Sequence, residues 1–317
     1  MTGDAAIGYA QIDLGAIARN LEAIRRRAGP NRRIIAVLKA DGYGHGAIAI
    51  ARSLADRSVD YFAIGSIEEA IAIRRVTSTP VLLLGSLDPA VCPLIVEHGI
   101  VASLDNRPAA EALSRAASGR QVDVFVKVDC GFGRFGVALS GAASYIKSVA
   151  ALAGIRLAGV YTHLPFSDES GRAWAASQGH AFENLIDGLA RDGLRIPLTQ
   201  ISASPWVSSG LADRQNAVAA GHLLYGLQPV NSRLSIEIDG IRPALLSIVS
   251  HLVHIGERLP SLEAAPYLRG GIGLLGVVPI GISHGYRPVP GEAFMLSLIH
   301  ISEPTRLRRI SYAVFCL

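Results

Sequence analysis

The 317 residues carry a net charge of +4 at pH 7, with 50% hydrophobic and 18% charged side chains. That length allows one large domain or two ordinary ones, and the apolar content builds a large core and excludes a disordered chain. The arginines are scattered and no aromatic-interleaved basic stripe occurs, so nucleic acid is not an expected partner. No apolar run reaches membrane-spanning length, so no membrane partner is expected either.

The N-terminus Met1-Thr2-Gly3-Asp4 lacks a basic region followed by an apolar one. The three cysteines, Cys92, Cys130 and Cys316, show no metal spacing and cannot all pair. Both features lead to the expectation of a cytoplasmic protein.

Along the chain, apolar runs alternate with helical periodicity. Asp13 is placed to cap a helix whose apolar face is Leu14, Ile17, Leu21 and Ile24. Strands are predicted at Ile34–Leu38, Tyr61–Gly65, Val81–Gly85, Ile100–Ser103, Val122–Val128, Leu157–Thr162, Leu198–Ser202 and Asn216–Ala219. Helical stretches between them include Ala47 to Leu54, a segment opened by a Ser66/Glu69 capping box, Ala109–Ala117, Ala142–Leu152 and Trp174–Leu189. Eight β-then-α units in this length predict an α/β protein of the (β/α)8 TIM-barrel type. A doubly wound sheet is the alternative, but no Gly-rich dinucleotide fingerprint follows the first strand.

After Tyr225 the rhythm changes. Leu234, Ile236 and Ile238 alternate with polar residues, 241–253 is strand-rich, and 276–281 reads as a strand and turn. These predict an incomplete C-terminal β domain. The expected division is a barrel over 8–230, a partial β domain over 231–294 and a tail over 295–317.

The ends of the predicted barrel strands carry the chemistry. Lys39 closes the first apolar run, and it is one of only three lysines, with Lys127 and Lys147. Partial burial at such a place lowers an amine's pKa and favours a nucleophile, while a lysine snorkelling at a strand end is the structural alternative. The other ends carry Ser66, Gly85-Ser86, Asp105, Asp129 with Arg134, His163, Ser204 and Gly221-His222. The set suits a small anionic ligand with a phosphate and a carbonyl. It is neither a metal cage nor a Ser–His–Asp nucleophile set.

The stretch Val37-Leu38-Lys39-Ala40-Asp41-Gly42-Tyr43-Gly44-His45-Gly46 resembles the alanine racemase family of barrel-type pyridoxal-phosphate (PLP) enzymes. So does Val126-Lys127-Val128-Asp129-Cys130-Gly131-Phe132-Gly133-Arg134-Phe135-Gly136. Tyr161-Thr162-His163 and Gly221-His222-Leu223-Leu224-Tyr225-Gly226 add to the resemblance, which runs over roughly residues 8 to 294.

The resemblance implies a PLP-dependent racemase with alanine as its default substrate and Lys39 as Schiff-base lysine and base. It implies that Tyr43, Ser204, Gly221 and His222 bind the cofactor phosphate, the last two through backbone N–H groups. His163 would lie beside the pyridine ring. Arg134 would face the substrate carboxylate, with Lys127 supporting it from behind. A homodimer, in which the β domain of one subunit completes the site of the other, follows from the same resemblance.

Two positions depart from the family. Where the pattern V-R-x-G-x-x-x-Y-G has an arginine beside the pyridine nitrogen, this chain has Ala219. Where the family's second base is the Tyr of G-Y-A-D-G, this chain has Ile282, with His284 and Tyr286 nearby. These losses favour a second reading, a PLP enzyme of the same fold with one-base chemistry such as an aldolase, a decarboxylase or a transaminase-like enzyme. A third reading is a non-catalytic PLP-binding paralogue. A class I aldolase barrel that uses the lysine without PLP is a fourth. Residues 295–317 depart altogether. They resemble the translation of sequencing-adapter readthrough, so an artefactual tail and a shortened β domain are expected.

Overall fold

In the computed structural model, residues 8–258, 273–279 and 313–316 are described. They fall into two units, one over Asp13–Ala244 and one made of Met1–Ile12 with Leu245–Leu317.

The larger unit is a closed parallel barrel. Strand β1, Gly8–Ile12, precedes it and belongs to the second unit. The barrel strands are β2 (Arg33–Val37), β3 (Tyr61–Ile64), β4 (Val81–Leu83), β5 (Val101–Leu104) and β6 (Val122–Asp129). After the short β7, Val137–Ala138, they continue with β8 (Ile155–Tyr161), β9 (Leu198–Ala203) and β10 (Ala217–Ala220). The order β5-β4-β3-β2-β10-β9-β8-β6 closes on itself because β5 also pairs with β6, Ser103 facing Phe125. All eight predicted strands are present, and the architecture is the (β/α)8 barrel expected.

Alternation explains why these strands are apolar throughout. Ile35, Val37, Ala63, Leu82, Val101, Phe125, Tyr161, Leu198 and Ala217 form one interior cluster. The residues between them, such as Ile34, Ala36 and Phe62, are also fully buried. A strand covered on both faces reads as an unbroken hydrophobic run rather than as an alternating one.

The helices follow their caps. Helix α1, Leu14–Ala28, starts where the Asp13 carboxylate accepts from the Ala16 N–H at 2.9 Å, and it buries Ile17, Leu21 and Ile24. Further helices are α2 (Ala47–Leu54), α3 (Ile67–Arg74), α4 (Cys92–His98), α5 (Arg107–Ala117), α6 (Leu139–Ala150), α7 (Glu169–Arg191) and α8 (Ser204–Ser209). Helix α4 is not visible in the periodicity, because a three-residue 3-10 turn and a proline open a segment of only seven residues.

Two local readings need correction. The alternation at Leu234, Ile236 and Ile238 forms no strand. The segment lies in the barrel unit, where the Ile236 N–H donates to the Ser208 carbonyl at 2.7 Å and Ile238 is buried. Only half of the Ser66/Glu69 capping box forms. The Glu69 N–H donates to Ser66 Oγ at 3.2 Å, but the Glu69 carboxylate accepts from the backbone of Ala40 and Asp41 instead.

In the second unit, β1 pairs antiparallel with β11, Leu245–Ser250. Strand β12 (His254–Arg258) pairs with β13 (Gly273–Val278), which also pairs with β14 (Ala313–Cys316). Ile282, His284, Tyr286 and residues 295–312 lie outside the described residues.

Candidate active site

The site is built at the C-terminal ends of the barrel strands. Lys39 follows β2 and opens a turn over Lys39–Gly44 whose hand is left. Ala40 (φ 54°), Asp41 (φ 51°), Gly42 (φ 62°) and Tyr43 (φ 53°) all sit in the left-handed region. Three of these four have side chains, and each such residue costs about 1–2 kcal/mol in that conformation. Strain of this size persists only where the surroundings over-determine it.

Here several contacts do so. The Gly42 N–H donates to the Leu38 carbonyl at 2.7 Å, and the Asp41 carboxylate accepts from the Ala47 N–H at 2.8 Å. The buried Tyr225 hydroxyl donates to the Val37 carbonyl at 2.9 Å. The turn brings the first and fifth residues together, so the Lys39 amine lies 5.7 Å from the centre of the Tyr43 ring. Tyr43 in turn packs edge-on to Tyr225 and beside His222.

Arg134 is presented by the loop after β6, and three side chains hold that loop from behind. The Asp129 carboxylate accepts from the backbone N–H groups of Gly131, Phe132 and Gly133. Lys127, 6% exposed, donates to the Arg134 carbonyl at 2.7 Å. Asp105 accepts from the Gly136 N–H at 3.1 Å and from Ser86 Oγ at 2.8 Å. The support expected of Lys127 therefore runs through the Arg134 backbone. The guanidinium itself stacks over Phe132 at 4.9 Å, and Phe132 meets His163 edge-on. Among the described residues no carboxylate pairs with it.

Ser204, 2% exposed, starts α8, and its hydroxyl accepts from the N–H groups of Gly221 (3.1 Å) and Leu223 (3.3 Å). Its own O–H stays available as a donor. The Gly221 N–H, expected to face a phosphate, is engaged by Ser204. A Cβ at Gly221 would stand 3.3 Å from the Tyr43 hydroxyl, so a side chain there would crowd the phenol. Ala219, at the departure from the family pattern, puts only a methyl group against the interior cluster.

Burial and neighbouring cations dominate the shifts at the mouth. Burial, then Arg134, lower the Lys39 pKa. Burial lowers the Lys127 pKa as well, followed by Arg134. His163 is pushed down to about 4 by burial and then by Lys127, Arg134, Lys39 and His222. Burial raises the Tyr43 pKa, which keeps its phenol a donor. Lys39, Tyr43, Arg134, His163, Ser204, Gly221 and His222 are thus brought together around one mouth. Asp105, named among the strand ends, braces the Arg134 loop, while sequence reasoning missed Phe132 and Tyr225 as parts of the mouth and Glu69 as a support behind it. Tyr225 and Phe132 lie inside the informative motifs, but Tyr225 bonds to Val37 and Phe132 meets His163, both far away in the chain.

The His163 shift carries a stability signature. Its imidazole stays neutral in the fold down to about pH 4, against 6.5 ordinarily. Between those values the unfolded chain binds the extra proton, so stability falls on acidification through this window and is complete above it. The contribution is at most about 3 kcal/mol at neutral pH. Urea unfolding between pH 7 and 4, without added cofactor, checks it by difference. His163→Asn is expected to flatten the slope, and parallel slopes would show that the ring is not held neutral.

A closed barrel of eight parallel strands, with its amine, guanidinium, imidazole and phenols gathered at the strands' C-terminal ends, defines an enzyme of the (β/α)8 class. The family described as alanine racemase, N-terminal domain, matches residues 12–229. The alanine racemase of Desulfovibrio desulfuricans is 31% identical over 284 residues, covering 88% of this chain and 76% of that protein. The solved alanine racemase of Clostridium difficile 630 superposes with a TM-score of 0.84 at 26% identity, over 99% of this chain and 84% of that one. That of Streptomyces coelicolor gives 0.78 at 26% identity, over 90% and 78%. The chain belongs to the alanine racemase family, and is an isomerase of that family.

Proposed function

We propose that this chain racemises a small amino acid, alanine first, using PLP, with the Lys39 amine as carrier of the cofactor and as base. The observation that carries the reading is the half-buried Lys39 amine at the strand ends, 5.7 Å from the centre of the Tyr43 ring and made less basic by burial and Arg134, with the His163 imidazole kept neutral by burial first and then by the neighbouring cations. The donor set fits PLP. Several cations and an uncharged phenol face one mouth, which suits a phosphate and a carboxylate, and the absence of a Cβ at Gly221 leaves the Tyr43 hydroxyl its place.

PLP supplies an aldehyde for the amine and withdraws electrons from the substrate Cα–H bond. The protein residues do the rest. Lys39 would take the α-proton from one enantiomer, or deliver it to the other, on its own face of Cα, and racemisation needs a second acid/base group on the opposite face, where the family's Tyr position holds Ile282 with His284 and Tyr286 nearby. Arg134, which pairs with no carboxylate among the described residues, would grip the substrate carboxylate with its planar fork. Tyr43, the Ser204 hydroxyl and the backbone at His222 hold the phosphate. His163 would face the ring as a neutral imidazole.

Ala219 favours a second reading, with the same cofactor and lysine but proton traffic on one face only. A methyl group at that position leaves the ring nitrogen without the family's cation, and the one base drawn from the described residues is Lys39. Incubating the protein with PLP and L-alanine in deuterated water separates the two. Racemisation predicts deuterium at Cα together with the D-enantiomer. Deuterium with retained configuration would replace the first reading by the second, and no exchange at all would remove both. A homodimer and a cytoplasmic setting are part of the proposal. Exposed Leu246, Ile248 and Ile255 in the second unit support a partner surface, and the free, buried Cys92 and Cys130 support a reducing compartment.

A further inference from the structure

The left-handed turn behind Lys39 is fastened at its first two amides by a residue that is not at the barrel mouth itself. Glu69, in the first turn of α3, extends its carboxylate to the Asp41 N–H at 2.6 Å and to the Ala40 N–H at 3.3 Å. An N-terminal helical glutamate in this position would ordinarily turn back to its own cap. This one leaves the Ser66 cap half-made and spans 28 residues to reach Asp41.

We propose that Glu69 is a positioning residue for Lys39: by holding the Ala40 and Asp41 amides it keeps the strained turn populated, and so keeps the amine and the Tyr43 phenol on one face of the mouth. The inference rests on the proposed function for its catalytic meaning. Three features support it. The turn contains three non-glycine residues at positive φ, so it needs external fastening. The two amides that Glu69 accepts from are the first after Lys39, where release would swing the lysine stem. Both Glu69 contacts are to backbone N–H groups of the turn, while burial and then Arg134 lower the pKa of the amine. Glu69 therefore acts through the backbone rather than through its charge.

The test has two readouts, on Glu69→Ala, Glu69→Gln and Ser66→Ala. The first is NMR hydrogen exchange of the Gly42 amide in protein without PLP. That amide bonds to Leu38 and not to Glu69, so it reports the turn as a whole. It is expected to exchange about 10-fold faster in Glu69→Ala, to recover in Glu69→Gln, whose amide oxygen still accepts, and to stay as in the parent in Ser66→Ala. The second is PLP affinity and borohydride trapping at Lys39. Affinity falls by the fraction of turn lost, roughly 10-fold in Glu69→Ala, while the pH midpoint of trapping stays where it was.

Unchanged Gly42 exchange in Glu69→Ala overturns the inference, as does equal acceleration in Ser66→Ala, which would assign the effect to the helix. A shifted pH midpoint overturns it in favour of a charge effect on the amine. If the parent protein traps no PLP at Lys39, the proposed function fails, and the Gly42 exchange still decides whether Glu69 holds the turn.

Discussion

Lys39→Ala is expected to lower alanine racemisation by at least about 10³-fold, the scale of losing a positioned acid/base group together with the cofactor link. The same variant is expected to form no borohydride-stable adduct with PLP. The reason is that neither of the other two lysines is free to take its place. They are Lys127, committed to the Arg134 carbonyl, and Lys147, paired with Asp192 at 2.7 Å. Peptide mapping after reduction checks the site directly. An adduct surviving on the Lys39→Ala chain would mean that the amine at the mouth is not the one that binds the aldehyde. An unchanged rate of racemisation would be equally damaging.

The second large effect concerns the fold. Gly226→Ala is expected to destabilise the barrel unit by more than about 3 kcal/mol, the range of severe backbone and overpacking lesions. Gly226 has φ +80°, and a Cβ on it would stand 2.1 Å from the Arg242 carbonyl oxygen and 2.6 Å from Pro243 Cα. The opposing segment cannot withdraw cheaply. Fully buried Asn20 accepts from the Arg242 N–H at 2.8 Å and donates to its carbonyl at 2.8 Å, and the Ala244 N–H donates to Tyr225 at 3.0 Å. Gly29→Ala is the comparison. It also has positive φ, but open space around its Cβ position, so only the conformational cost of about 1–3 kcal/mol is expected. Urea midpoints of the two variants decide the matter. Equal losses would show that backbone conformation alone, and not the contact with 242–243, limits position 226.

Glu69 and Gly226 share a lesson about what a linear reading reaches. The Ser66–Glu69 spacing correctly marks a helix start, and the Ser66 half of the cap is made. Where the carboxylate goes depends on an amide pair in a different βα loop, and spacing within the helix carries no information about that. The alternation at 234–238 misleads for a related reason. Period-2 patterning reports which side chains are covered, not whether the backbone pairs, and Ile236 is tied to Ser208 rather than to a strand.

The sequence by itself determined the eight strands, the identity of the barrel and most of the polar residues gathered at its mouth, but not the Phe132 and Tyr225 rings among them. Buried parallel strands and glycine-rich turns leave their marks locally, in runs of a few residues. Only the tertiary structure decided that β5 closes on β6, that the turn after Lys39 is left-handed, and that Lys127 and Glu69 act on backbone groups of other loops. Those outcomes depend on which polar groups meet once the chain has closed. A hydrogen bond between residues far apart in sequence has no periodicity to betray it.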